Sequence, residues 1–372
     1  MTLLGFLVVS VGSTDPPSGP GCVNIPKAKR NCLVHDAIQS CLANKLIHIY
    51  GNSVSRHWAY ILAFVLEGGS GRFRLTPRGE FQTKDIVNAL KHLPNRTTEK
   101  IQCAHGSAVA HGSAKTRCEF VVGKDKSTHI VFHWQQHLHD DHFETDLTTS
   151  ETSCRKKGKF RDVFSGECAP DIAVVNVGSD DIYRAAIQLS ATQNHTAAER
   201  YSAWHDNLLK LGPELVRTLR LAAEHGTSVY YIAREPNCGR EPHWSGDDDQ
   251  NRSGLRMLNA ALHQSGQEVL TWICEKGHAP SPSLPVIRTI DGYEWVAEGA
   301  ADPLFPEEAC KAYDDGVHHS RLQFDHLNWW LCELCNIKPE EEPKSQADSQ
   351  EGKEEEDTQQ LKARAAEFKP QA

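Results

Sequence analysis

Residues 46–58 read Leu46-Ile47-His48-Ile49-Tyr50-Gly51-Asn52-Ser53-Val54-Ser55-Arg56-His57-Trp58, and the apolar run Ala59-Tyr60-Ile61-Leu62-Ala63-Phe64-Val65-Leu66 follows. The first five residues have the composition of a buried strand, and Val54–Glu67 has that of a helix. Gly51-Asn52-Ser53 therefore forms a strand-to-helix turn, with the Ser53 hydroxyl at the carboxyl edge of a sheet, where open α/β sheets bind ligands. A helix start also aims amide groups and a positive dipole at that space. A nucleophilic serine needs both exposure and donors for the oxyanion that its attack creates. The competing reading makes Ser53 or Ser55 a helix cap.

Outward from this stretch, strands are expected at His129–His133, Asp171–Val177, Ser228–Ala233 and Glu268–Cys274. Helices are expected at Thr196–His225 (interrupted at Gly212-Pro213), Leu255–Gln264 and Ser320–Cys335. Alternation of strand and helix predicts a mostly parallel sheet covered on both faces. Residues 68–128 read as a loop-rich insertion, 276–310 as Pro-rich and irregular, and 337–372 as a charged, disordered tail.

Two further segments carry chemistry. Asn176-Val177-Gly178-Ser179-Asp180 follows a strand, and Asn176 or the Gly178 amide could donate to an oxyanion, with Asp180 capping a helix over Ile182–Leu189. Asp315-Gly316-Val317-His318 precedes the last helix. One short segment can there deliver a base, His318, and the carboxylate that orients it, Asp315 or its neighbour Asp314. His326, among Trp329 and Trp330, reads as packing.

In order, these three blocks (G-N-S-x-S-R, N-x-G-x-D and D-x-x-H) resemble the SGNH/GDSL hydrolase superfamily. They are most similar to its PC-esterase branch, which includes the trichome-birefringence-like polysaccharide O-acetyltransferases and the sialate O-acetyltransferases. The resemblance spans about residues 43–336. It implies a three-layer α/β/α sandwich and acyl chemistry on an ester, often a sugar O-acyl group, without metal or organic cofactor. By position, Ser53 becomes the nucleophile, Asp315 the carboxylate and His318 the base. Arg56 matches the arginine after the serine and braces the turn, while Ser53, Asn176 and Gly178 fall in the oxyanion blocks. Two positions depart from the pattern: Asn52 stands where the family has Asp, and Asp180 where it carries Asn or His. An ionised Asp180 beside a developing oxyanion would oppose it.

Two rival readings remain open. His137-Leu138-His139-Asp140-Asp141-His142 fits an H-x-H-x-D-H zinc signature, with His137, His139, Asp141 and His142 as ligands of a metallohydrolase. Alternatively the same fold is a non-catalytic glycan-binding or structural protein. Trp58, Trp134 and Trp244 could stack on sugar rings or merely pack.

Composition bounds these choices. The chain has 372 residues, 39% of them apolar, and a net charge of −9. Residues 337–372, with ten Asp/Glu and six Lys/Arg, carry −4 of that charge. Nucleic acid as main partner would need a basic face, which this balance lacks. An acylated carbohydrate or other small ester fits better. Residues 1–13, apolar from Leu3 to Val11, read as a secretory signal peptide, followed by a Cys-containing segment over 14–42 and the main domain over 43–336. No later stretch is apolar enough for a membrane span. Twelve dispersed cysteines predict disulfides in the secretory lumen or outside the cell. Cys332 and Cys335 lie late in a helix, which argues for disulfide or packing roles over redox chemistry. Asn95, Asn194 and Asn251 begin glycosylation sequons.

Overall fold

The computed structural model describes residues 19, 21–27, 32–67, 102–103, 117–123, 127–135, 138, 170–178, 197–238, 248–275, 286–310 and 320–337. Residues 53, 102–103, 117–119, 197–204, 248–254, 307–308 and 320–324 are described by backbone only. In chain order the elements are β1 (Cys22–Asn24), α1 (His35–Leu42), β2 (Leu46–Gly51), α2 (Ser53–Leu66), β3 (Gln102–Cys103), β4 (Arg117–Val122), β5 (Thr128–Trp134) and β6 (Ile172–Asn176). Then come α3 (Ala197–Glu224), β7 (Ser228–Ala233), α4 (Asp248–Glu275), β8 (Ile287–Asp291), α5 (Gly292–Ala297), α6 (Glu307–Cys310) and α7 (Ser320–Leu334). The strands form one sheet in the order β1-β8-β7-β6-β2-β5-β4-β3. Pairing is parallel from β1 to β5, and antiparallel only where β4 and β3 extend one edge.

The sheet is covered on both faces because its strands are apolar on both. Ile47, Ile49, Ile130, Phe132, Ile172, Val174, Tyr230 and Ile232 pack with α1, α2 and α7. Their neighbours Tyr50, Ala173, Val175, Val229, Tyr231 and Ala233 face the other way and pack with α3 and α4. This period-2 division between two helical layers is the three-layer α/β/α sandwich. Helix α2, apolar all round, is buried between the sheet and α7, with Trp58 and Trp330 rings 5.7 Å apart.

Three sequence expectations are corrected. Glu268–Cys274 is not a strand but the last two turns of α4. A short apolar run satisfies either period. Leu258, Ala261, Leu262, Val269, Leu270 and Ile273 are all buried on one side at helical spacing, and that burial decides it. The break at Gly212-Pro213 is absent, since α3 runs through Pro213. The carbonyl that Pro213 leaves without a helical partner belongs to Leu209, which is exposed, so water can serve it. Gly212 in turn makes room for Trp272 of α4, whose ring a side chain there would strike. The region 276–310, expected to be irregular, contains β8, α5 and α6. Strand β8 (Ile-Arg-Thr-Ile-Asp) is short and flanked by prolines, and it is a strand because β7 and β1 hydrogen-bond it from both sides. Within the expected insertion at 68–128, β3 and β4 extend the sheet, and Cys103 stands opposite Cys118. The expected helix at Ile182–Leu189 and the tail lie outside the described residues, apart from Ile337.

Among the described residues four disulfides tie the sandwich: Cys22–Cys274, Cys32–Cys332, Cys41–Cys335 and Cys238–Cys310. Cys332 and Cys335 thus bond to two different partners, which is the structural role expected of them. A set of disulfides this dense is characteristic of an oxidising compartment. Among the described residues no helix is long and apolar enough to cross a membrane.

Asp291 ends β8 and caps α5, its carboxylate accepting from the Glu294 amide at 3.1 Å and the Gln267 amide group at 2.5 Å. Burial raises its pKa above the usual carboxylate value, the two hydrogen bonds opposing the shift. A folded-state pKa above the unfolded one makes stability fall as pH rises through the folded pKa. Asp291→Asn keeps an oxygen for the cap and removes the buried charge. The variant should be at least as stable as wild type at neutral pH, and the margin should shrink on acidification. Urea denaturation across that pH range checks this; a variant clearly weaker at neutral pH would refute it.

Candidate functional site

The five central parallel strands, numbered by chain order, lie in the order 2-1-3-4-5, from β5 through β2, β6 and β7 to β8. Connections from β2 and β6 leave towards opposite faces of such a sheet, so a crevice opens beyond their carboxyl ends. Gly51 of β2 and Asn176 of β6 sit side by side there in register. The residues just past them are Asn52-Ser53 and Val177-Gly178, two of the blocks singled out from sequence.

The turn after β2 is tightly built. Gly51 has φ +156°, and a Cβ there would lie 2.5 Å from the Asn176 carbonyl oxygen and 2.1 Å from Ser55 Oγ. Only glycine fits. Asn52, not a serine, caps α2: its Oδ1 accepts from the Val54 amide at 3.0 Å. Ser53 is the first helical residue, so its amide belongs to the turn whose N–H groups have no intrahelical acceptor. Ser55 is buried beneath Gly51. The cap reading of the serines is therefore replaced by a cap at Asn52. An asparagine caps as well as an aspartate, so the departure at this position leaves the turn intact.

Arg234, immediately after β7, was not anticipated. It is 8% exposed, and its Nη1 donates to Asn52 Oδ1 at 3.2 Å and Asn176 Oδ1 at 3.3 Å. One guanidinium thereby joins the loops after β2, β6 and β7. The sequence signal was thin: an arginine directly after the strand Ser228–Ala233. Asn176 also donates its Nδ2 to the Ile232 carbonyl at 3.2 Å. Both ends of its amide thus serve the scaffold. Gly178 has φ +97° and abuts Leu138, where a Cβ would come within 2.5 Å. Asn176 commits its Oδ1 and one Nδ2–H to the scaffold, and Gly178 offers a backbone amide at the same turn. Replacing Arg234 with Met should cost about 1–3 kcal/mol by stranding the buried Asn176 Oδ1, whereas Asn52 Oδ1 keeps the Val54 amide. Thermal denaturation measures the loss, and an unchanged midpoint would show that the guanidinium does not hold the crevice.

Helix α7 runs antiparallel to the strands. Its His326, 1% exposed, meets Glu235 beyond β7 at 3.4 Å. Trp330 lies edge-on to Tyr230 within β7, and Glu333 lies 3.8 Å from Arg288 near the start of β8. The helix start at Ser320, six residues before His326, projects about 9 Å further towards the carboxyl edge. Asp315 and His318, which precede it, lie outside the described residues, as do Asp180, His137, His139, Asp141, His142, Asn95, Asn194 and Trp244. The Arg56 guanidinium sits 5.5 Å from the Trp134 ring centroid, and Trp58 is buried in the core. Asn251 lies near the start of α4. No protein-family model matches the chain, and no curated protein matches it significantly.

Proposed function

We propose that this protein is a serine esterase or O-acyltransferase of the SGNH type. Its substrate would be an O-acyl ester, an O-acetylated carbohydrate first of all, in the secretory pathway. One observation carries the reading: at the crevice beyond β2 and β6, Ser53 opens a buried helix next to the Gly178 turn, and Arg234 fixes the loops on both sides. The direction of α7 adds support, because a helix returning antiparallel to the strands starts near that edge.

In this mechanism Ser53 Oγ attacks the acyl carbonyl carbon while His318 takes its proton. Asp315 holds the imidazole tautomer and stabilises the imidazolium. The tetrahedral oxyanion accepts from the Ser53 and Gly178 amides. Collapse breaks the ester bond, and the alcohol leaves with the proton from His318. Water or a sugar hydroxyl, deprotonated by the same histidine, then attacks the acyl-enzyme and frees Ser53. Transfer rather than hydrolysis depends on excluding water from the crevice.

A fluorophosphonate probe tests the reading directly. Peptide mapping should find the label on Ser53 of the folded protein. A folded protein that takes no label there would instead support the non-catalytic reading.

A further inference from the structure

Arg234 is more than nine-tenths buried, yet among the described residues no carboxylate pairs with it. Glu235, next in the chain, faces His326 of α7 instead. The guanidinium is held by two neutral oxygens, Asn52 Oδ1 and Asn176 Oδ1, and both bonds leave from Nη1. Its Nε is buried without an acceptor. A guanidinium keeps its charge even when buried, and a buried charge without a counter-charge is costly. The pattern that these loops resemble has aspartate at position 52, which would supply that counter-charge; Asn52 does not.

The unused edge has a specific shape. Nε–H and Nη2–H are parallel donors that take two oxygens of one anion. The start of α2 lies beside it, because Asn52, the residue that Nη1 contacts, caps that helix. Helix starts attract anions. On the β5 side of Gly51, the Arg56 guanidinium stands over Trp134, again with no described carboxylate and with its Nε lacking an acceptor. A cleft lined by one sign of charge concentrates ligands of the other. Arg234 also lines a cavity with Gly178, Tyr231 and Ser265, so it borders open space.

We infer that the Nε/Nη2 edge of Arg234, at the start of α2, is a binding site for an anionic group of the ligand. That group presents two oxygens, as a carboxylate, a sulfate or a phosphate does. The consequence for substrate, an acidic ester with its anionic group held beside the Ser53 turn, rests on the esterase reading. The anion site itself does not depend on Ser53 being a nucleophile.

The test titrates the full chain with acetate, sulfate and inorganic phosphate at constant ionic strength, by calorimetry. Saturable binding of at least one is expected, and the preferred probe tells a carboxylate from a sulfate or phosphate. Asn52→Asp is the decisive variant: its oxygen keeps the α2 cap, and its charge gives Arg234 an internal partner. It should fold with a thermal midpoint no lower than wild type and lose anion affinity about tenfold or more. Arg234→Lys, which keeps a charge without the fork, should also weaken binding. Wild type with no saturable binding overturns the proposal. So does binding that both variants leave unchanged, which is adventitious attachment elsewhere on the surface. Binding that appears only in Asp180→Asn overturns it too, because the chain's own carboxylate would then occupy the edge. None of these outcomes is read from fluorophosphonate labelling of Ser53, so the anion site and the esterase reading fail separately.

Discussion

Ser53→Ala should reduce ester turnover by about 10³- to 10⁶-fold, and His318→Ala by a similar factor, with the thermal midpoint nearly unchanged. The size follows from the unit that they form: removing either the nucleophile or its base leaves only binding and the oxyanion donors. The small effect on stability follows from the architecture. The cap of α2 is made by Asn52, and the crevice loops are held by Arg234, so the Ser53 hydroxyl is not needed for either. Ser55→Ala is the control. That side chain is buried under Gly51, and its loss should leave turnover within a few-fold of wild type. Kinetics on acetylated model esters decide the matter. Ser53→Ala with wild-type turnover would remove the proposed mechanism.

Loss of the two bonds that hold α7 should unfold the protein. Cys32–Cys332 and Cys41–Cys335 close loops of 300 and 294 residues. With either one present, the other closes a loop of only about a dozen residues, a contribution of about 3 kcal/mol in the chain-entropy account. With both gone, the long closure is lost as well, even though Cys22–Cys274 still shortens it, and the total reaches about 7 kcal/mol. That is comparable to the whole stability of an ordinary domain. Cys32→Ser with Cys332→Ser, and Cys41→Ser with Cys335→Ser, should therefore each lose about 3 kcal/mol, and the quadruple variant should lose more than their sum. Urea denaturation measures all three. Strict additivity would show that the two bonds act on separate parts of the unfolded chain.

The strands that were legible share one property: they carry enough branched apolar residues to declare themselves alone. Leu46–Tyr50, His129–His133, Asp171–Val177 and Ser228–Ala233 all appear within one residue at either end. Strand β8 failed that test because Arg288, Thr289 and Asp291 dilute it, and its identity comes from neighbours on both sides. The end of α4 was misread for the converse reason. Val269, Leu270 and Ile273 are apolar enough for either element, and only the layer that they cover distinguishes them. At the site, the loops at Asn52-Ser53 and Asn176–Gly178 were legible as chemistry-bearing turns. Arg234 was not, because its role depends on two amides more than 50 residues away.

By itself, then, the amino-acid order determined the period-2 strands, the buried helix after Gly51 and the oxidised cysteines, since these depend on neighbours within a few positions. Only the tertiary structure decided the 2-1-3-4-5 arrangement, the cysteine partners, and the meeting of Asn52, Asn176 and Arg234. Those depend on which distant surfaces fit together strongly enough to offset the entropy of closing the loops between them, and no local pattern carries that information.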